Sequence, residues 1–329
     1  MHQNNLKNKL NEILPFIKDK NEVIFLDYPV YLNVGDLLIY HGTENFFKEN
    51  NINVKLRRSN ARYSVKEIEK YLNPNTVILM QGGGNFGDLY PEFQKFRQDV
   101  VSSFPDTRII ILPQTAFFEN EHELDKSVKA FGAHKDLIIF SRDTRSLSIF
   151  KKFTSQTFLM PDMAHSLWGT LPKSQKSKGT LYLIRNDKEI NKVQRRLLEH
   201  KKGDDKYVDW EDILTSKDLL MRKVCRKLDG IGGVTNLSVL KNISNVIWYN
   251  YTYKMVQRYA LYFTSHEKVV TSRMHGHIFS CLLSLPNDVI DNAYGKNSGY
   301  FKEWTYDIDG TKLLGKVRIS RSFLPKLTR

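Results

Sequence analysis

Cysteine is nearly absent: 329 residues hold two, Cys225 and Cys281, each inside an apolar helical pattern. Two such residues supply neither a disulfide framework nor a metal-binding spacing, so they are expected to pack as small hydrophobes in a reducing compartment. Long apolar runs are missing as well. Nothing approaches the roughly 20 residues that a membrane-spanning helix needs. The opening stretch MHQNNLKNKLNEILPFIKDK lacks the apolar core of a secretory signal. It reads instead as a short amphipathic helix with Leu6, Leu10, Ile13, Leu14 and Ile17 on one face. Without secretion, the sequons at Asn236, Asn242 and Asn250 carry no weight. There is no Gly-Lys-Ser/Thr phosphate loop, no dinucleotide fingerprint in a strand-to-helix context, no G-x-S-x-G elbow and no obvious Asp-x-Asp. No zinc finger, RNA-recognition motif or basic zipper is present, so nucleic acid is not an expected partner.

Positive charge is in excess. The formal net charge is +14 and the pI is near 9.5, which points to an anionic partner. The excess is spread along the chain. The stretch from Lys312 to Arg329, with Lys316, Arg318, Arg321 and Lys326, contains no acid. It reads as a solvated basic face, or as a surface drawn to anionic lipid.

Short apolar runs alternate with helical patterns: EVIFLD (22–27), NINVKL (51–56), TVILM (76–80), RIIIL (108–112) and LIIFS (137–141). Strands apolar on both faces and separated by helices predict an α/β protein with a parallel sheet covered on both sides. The polar, Lys- and Ser-rich stretch LPKSQKSKG (171–179) reads as a linker. It divides an N-terminal unit, 1–170, from a second α/β unit, 180–310; a basic tail, 311–329, follows. In the second unit TLYLIRND (180–187) and KVVTS (268–272) are predicted strands, and helices are expected near 211–228 and 248–263. GIGGVTN is expected as a weak break between them.

Functional loops of parallel sheets lie at the carboxyl ends of the strands. Four such loops carry informative residues: Asn33 to Asp36, Gly82 to Asp88, Pro113 to Thr115, and Arg142 to Asp143. In GGGNFGD (82–88), Gly83 and Gly84 would let the backbone approach a ligand, with Asn85 and Asp88 as polar readers; a plain tight turn is the alternative. Asp36 and Asp143 are equally readable as helix N-caps. Asp162 and His165 fall three residues apart, too few ligands for a metal. Arg185 and Asp187 can be a structural ion pair. The most charged constellation is TSRMHGH (271–277) followed by DNAYGKNSG (291–299). Arg273, His275 and Gly276 sit at a helix start, and Tyr294, Lys296 and Ser298 lie in the loop after the next strand. Two cations and an imidazole around a helix N-terminus form a site for a phosphorylated or carboxylated ligand. His277 reads as structural.

Taken together, NVGD (33–36), GGGNFGD (82–88), PQT (113–115), SRD with Ser146 (141–146), PDMAH (161–165), LIRND, TSRMHGH and DNAYGKNSG resemble the polysaccharide pyruvyl transferase family over residues 22–299. The resemblance implies two Rossmann-like domains in a glycosyltransferase-B-like arrangement, with the active site in the interdomain cleft. It implies transfer of pyruvate from phosphoenolpyruvate to a pair of sugar hydroxyls of a bacterial exopolysaccharide, capsule or cell-wall glycan precursor. The product is a ketal, and phosphate is released without a metal or cofactor. Arg142, Arg273, Met274, His275, Gly276, Lys296 and Ser298 would hold the donor, with His275 as general acid and Arg142, Arg273 and Lys296 stabilising charge. Asn33, Gly35, Asp36, Gly83, Gly84, Asn85, Asp88 and Arg185 would face the saccharide acceptor, lipid-linked or polymeric. Met274 stands where many members have Leu. The implied location is the cytoplasm, at the inner face of an anionic membrane. Two other readings compete: a nucleotide-sugar glycosyltransferase on the same scaffold, and a non-catalytic polyanion-binding protein.

Overall fold

The computed structural model describes residues 2–185, 203–234, 238–291 and 295–314. Asp187, Tyr294, Asn236 and most of the basic tail lie outside them. Seven strands form the first sheet: β1 (Val23–Leu26), β2 (Val54–Arg58), β3 (Val77–Met80), β4 (Gly83–Gly87), β5 (Arg108–Phe117), β6 (Leu137–Ser141) and β7 (Thr157–Leu159). Their order is β2-β1-β3-β5-β6-β7, with β4 paired to the far end of β5. Five strands form the second: β8 (Thr180–Leu183), β9 (Lys206–Val208), β10 (Lys268–Thr271), β11 (Asn287–Ile290) and β12 (Thr311–Leu314), in the order β12-β11-β10-β8-β9. Every pairing is parallel. The fold is therefore α/β and Rossmann-like.

Alternation within the apolar runs builds two layers of core. Val23 and Phe25 of β1, Val77 and Leu79 of β3, and Ile110 and Leu112 of β5 face one cluster. Ile24, Leu26, Ile78, Met80, Ile109 and Ile111 face the other. A side-chain period of two, apolar on both faces, requires helices on both sides. The first cluster also contains Leu181, Leu183 and Val269 of the second sheet, so one apolar core runs between the sheets. Each fully buried aliphatic side chain contributes about 1.5–3 kcal/mol to that core.

The helices are α1 (His2–Lys9), α2 (Val34–Glu49), α3 (Val65–Ile68), α4 (Pro91–Ser103), α5 (Glu121–Gly132), α6 (Thr144–Phe150), α7 (Ser216–Val234), α8 (Ser238–Thr264), α9 (Met274–Leu282) and α10 (Lys296–Tyr300). None among the described residues is long and apolar enough to cross a membrane. The amphipathic start forms α1 and a 3₁₀ turn, with Leu6, Leu10, Ile13 and Ile17 buried. Both cysteines are buried and reduced.

Two expectations need correction. GGGNFGD is not a loop: Gly83–Gly87 is a strand beside β5. Gly87 lies at φ +114°, and a Cβ there would come within 1.8 Å of the Phe117 carbonyl oxygen, so glycine permits that pairing. The GIGG stretch is not a break either, because α7 continues through Gly230 and Ile231 to Val234. Tertiary packing overrides the low helix propensity of glycine, which is worth about 1 kcal/mol per residue. Helix α8, at 27 residues, starts ten residues before the expected position. Its Trp248 Nε1 donates to the Pro29 carbonyl at 2.6 Å, and its Thr252 hydroxyl meets His41 of α2 at 2.9 Å. The ten added residues are held by Glu67 of α3, which accepts from Ser238 and Lys241.

Candidate active site

A cavity of about 700 Å³ opens at the carboxyl ends of both sheets. The first sheet lines it with Tyr31, Asn33 and Asp36 after β1 and with Gly84 and Asn85 of β4; the second adds Arg185 after β8, Trp210 after β9, Arg273, Met274 and His275 after β10, and Lys296 after β11. Parallel strands end on one side, which is why residues 240 positions apart converge there.

His275 is the hub. Its Nε2 lies 3.3 Å from Asp162 Oδ2 and 3.5 Å from Arg142 Nη1. Its Nδ1 rests on α2, where a Cβ on Gly35 would be only 2.5 Å away. Gly35 thus admits the ring. Arg142 is fully buried. It forms an ion pair with Asp162, donates from Nη2 to Thr115 Oγ1 at 3.1 Å, and has its carbonyl bound by Trp304 Nε1 at 2.6 Å. A Cβ on Gly84 would be 2.2 Å from Lys296 Nζ and 3.0 Å from Arg142 Nη2, so both cations close on the glycine backbone. Lys296 begins α10 and is not a loop residue. Arg273 is the N-cap of α9; its guanidinium forks onto Asp209, with Nε to Oδ1 at 2.8 Å and Nη2 to Oδ2 at 2.5 Å.

Two carboxyls near His275 are shifted in opposite directions. Burial would raise Asp162, but Arg142, the His275 ring and the Ala164 N–H outweigh it and hold Asp162 well below the usual carboxylate range. Asp36 is raised: its burial exceeds the pull of His275, Lys296, the Tyr31 hydroxyl and Arg142. Asp36 is free for this role because Asn33 supplies the α2 N-cap, accepting from Gly35 N at 3.0 Å. Behind it, burial raises Asp27 to about 7 despite Arg97, and Asp36 adds to the rise. Arg97 Nη2 also donates to Asn85 Oδ1 at 2.6 Å and orients that side chain.

Several expected residues stand elsewhere. The Asp88 carboxylate accepts from Glu119 N and Asn120 N at 2.8 and 2.7 Å, fastening β4 to the end of β5. Ser298 Oγ donates to the Gly295 carbonyl at 3.2 Å, inside its own turn. Neither lines the cavity. Gly276 is a packing residue, since a Cβ there would be 2.5 Å from Thr271 Oγ1 and 2.6 Å from Leu183 Cδ2. Gly83, at φ +144°, holds the left-handed turn into β4. His277 is buried against Asn287 and Thr305, and burial lowers it to about 4. The Arg185 backbone N–H donates to Ser272 Oγ at 2.9 Å, which brings the chain to the cavity wall. Asp209 and Tyr31 belong to the site and were not singled out; Asp162 was weighed only as a metal ligand and Thr115 only as the end of an informative loop. Their signal is tertiary: Asp209 is 64 residues from Arg273.

Comparisons with known proteins identify the family and the fold. A family model described as polysaccharide pyruvyl transferase matches residues 33–294. A Bacillus subtilis (strain 168) protein named "Putative pyruvyl transferase EpsO" is 40% identical over 94% of this chain and 93% of its own length. "Pyruvyl transferase 1" of Schizosaccharomyces pombe is 25% identical over 89% of this chain and 72% of its own. A solved structure of an uncharacterized Klebsiella pneumoniae protein has the same fold, with a TM-score of 0.58 at 18% identity over 95% of this chain and 99% of that one. The chain is thus a pyruvyl transferase and belongs to the polysaccharide pyruvyl transferase family.

Proposed function

We propose that the enzyme transfers pyruvate from phosphoenolpyruvate to two hydroxyls of a polysaccharide precursor and forms a ketal. The observation that carries this reading is that Lys296 and His275 line one cavity, with the buried Arg142 directly behind them, 3.5 Å from the His275 ring and, like Lys296, closed on Gly84. Phosphoenolpyruvate bears a phosphate and a carboxylate, and cations at a glycine backbone suit both. A volume near 700 Å³ also accommodates a sugar beside it. The two halves act as Rossmann-like domains in a glycosyltransferase-B-like arrangement with this cavity as the cleft. Two parallel sheets whose carboxyl ends face one cavity support that reading. Family membership favours it over the glycosyltransferase and the polyanion-binding readings.

The chemistry follows from the placement. The protonated His275 ring gives its proton to the methylene carbon, with Asp162 stabilising the imidazolium. Positive charge develops on the adjacent carbon, and the first sugar hydroxyl adds there. Its proton passes to Asp36, a carboxyl whose raised affinity for protons suits a base. The second hydroxyl then attacks the same carbon as the carbon–oxygen bond to phosphate breaks. Asp36 passes the first hydroxyl's proton on to the departing phosphate, and the second hydroxyl's proton restores the imidazolium, so both groups end as they began. Lys296, Arg273 and Arg142 hold the donor's charged groups and stabilise the departing phosphate. Asn33, Asn85 and Arg185 face the acceptor. No step calls for a metal or a cofactor.

The test incubates the enzyme with phosphoenolpyruvate and a panel of glycosides, and measures phosphate release and product mass. Expected are phosphate and a product heavier by one pyruvyl ketal, and a thermal shift with phosphoenolpyruvate alone. His275→Ala keeps the shift and loses turnover. No release with any acceptor and no shift would sink the reading.

A further inference from the structure

Helices α7 and α8 form an antiparallel pair: Ser244 Oγ donates to the Cys225 carbonyl at 3.1 Å, and Asp218 takes Tyr251 and Arg258 at 2.6 and 2.7 Å. Each helix buries one face and leaves an apolar stripe on the opposite one. On α7 the stripe is Leu220 and Val224, exposed by 60% and 40%; on α8 it is Val239, Ile243 and Val246, exposed by 65%, 45% and 57%. Spacings of four, and of four then three, put each set on one helix face. Most of the large apolar side chains that the described residues expose lie on this pair.

The charge of the same surface is one-sided. Between Ile213 and His266 the only acids are Asp218 and Asp229. Both are buried. Over that span Lys217, Lys223, Arg226, Lys227 and Lys254 are exposed cations. Apolar stripes flanked by cations without exposed acid match a bilayer carrying anionic headgroups: the stripes enter the headgroup–acyl boundary and the cations meet the phosphates. A second copy of the chain is a poor occupant, because a two-fold contact would set cation against cation. The pair also reaches the active site, since Leu219 and Arg222 of α7 line the cavity.

We propose that the α7–α8 pair docks the enzyme on an anionic membrane, with the cavity wall at Leu219 and Arg222 set beside that surface. The docking stands on the surface alone and does not rest on the proposed transfer reaction. The test is sedimentation of the full chain with vesicles of phosphatidylcholine, or of phosphatidylcholine mixed with phosphatidylglycerol. The wild type should sediment with the mixed vesicles only and be released by high salt. The double variants Leu220→Glu with Val224→Glu, and Val239→Glu with Val246→Glu, should each bind about tenfold more weakly, yet release phosphate at the wild-type rate with phosphoenolpyruvate and a short soluble glycoside. Absence of binding to mixed vesicles, or undiminished binding by both variants, overturns the proposal. So does a dimer in sedimentation velocity that the variants dissociate, which would assign the face to a second copy. Failure of phosphate release in every protein, with vesicle binding intact, would count against the transfer reaction and leave the docking standing.

Discussion

At the residue scale, the site depends on the absence of side chains as much as on their presence. Gly35 admits the His275 ring, and Gly84 admits Lys296 and Arg142. Gly35→Ala tests the placement of the ring. Its Cβ would meet His275 Nδ1 at 2.5 Å and also His275 Cβ at 2.9 Å, so it must push the imidazole off Asp162 and crowd α2 against α9. The expected outcome is a modest loss of stability, about 1–3 kcal/mol, with kcat down about 100-fold, since a displacement of roughly 1 Å can cost that much. Undiminished turnover would show that the ring position does not matter. The sequence made His275, Arg273 and Lys296 legible because charged residues beside glycine at a strand end have few structural uses. It could not separate Asp36 from an N-cap; Asn33 decides that only once the turn is built. Asp88 and Ser298 carried the same turn chemistry as ligand-binding residues and proved to be fasteners. Asp209 was hidden, and the use of Asp162 was misread as metal chemistry, because their partners, Arg273 and Arg142, arrive from other elements.

At the element scale, the parallel sheets were readable from runs such as VILM and LIIFS, which admit no other use in a covered sheet. The Gly83–Gly87 strand was not, because glycine signals a turn until the Phe117 carbonyl is seen against Gly87. The length of α8 was set by partners outside it. One of these is a buried ion cluster. Arg58 of β2 forks onto Glu67 of α3 at 2.6 and 2.9 Å, and Glu67 also accepts from Ser238 at 2.5 Å and Lys241 at 3.1 Å, both of α8. Burial would raise Glu67, but Arg58 and Ser238 hold it near 2. Glu67→Gln leaves Arg58 and Lys241 buried without the carboxylate that pairs with them directly. It should lower the free energy of unfolding by about 3–5 kcal/mol in urea titrations; a loss below about 1 kcal/mol would mean that the cluster does not hold α8 to the first sheet.

At the scale of the whole molecule, buried histidines set the response to acid. Burial lowers His277 to about 4 and His41 and His165 to about 3. Between about 6.5, the unfolded value, and 4, the unfolded chain takes up protons that the native rings refuse, so their contribution is fully present above that window and lost as pH falls through it. Asp27, raised to about 7, acts in the opposite sense over the same window, and Asp36 is shifted in the same direction as Asp27. Three histidines with large shifts outweigh the one carboxyl whose shift is comparably large. Thermal unfolding should therefore occur at a lower temperature at pH 5 than at pH 7; equal temperatures would contradict neutral burial of the rings. The shared core bears on modularity. Leu181, Leu183 and Val269 share one cluster with the first sheet's apolar layer, so the seam between the halves is apolar. An exchange of one half for that of a distant relative would need the seam to be exchanged with it. Evolution of a new acceptor preference is then confined to loops at the cavity rim, where change leaves the seam intact.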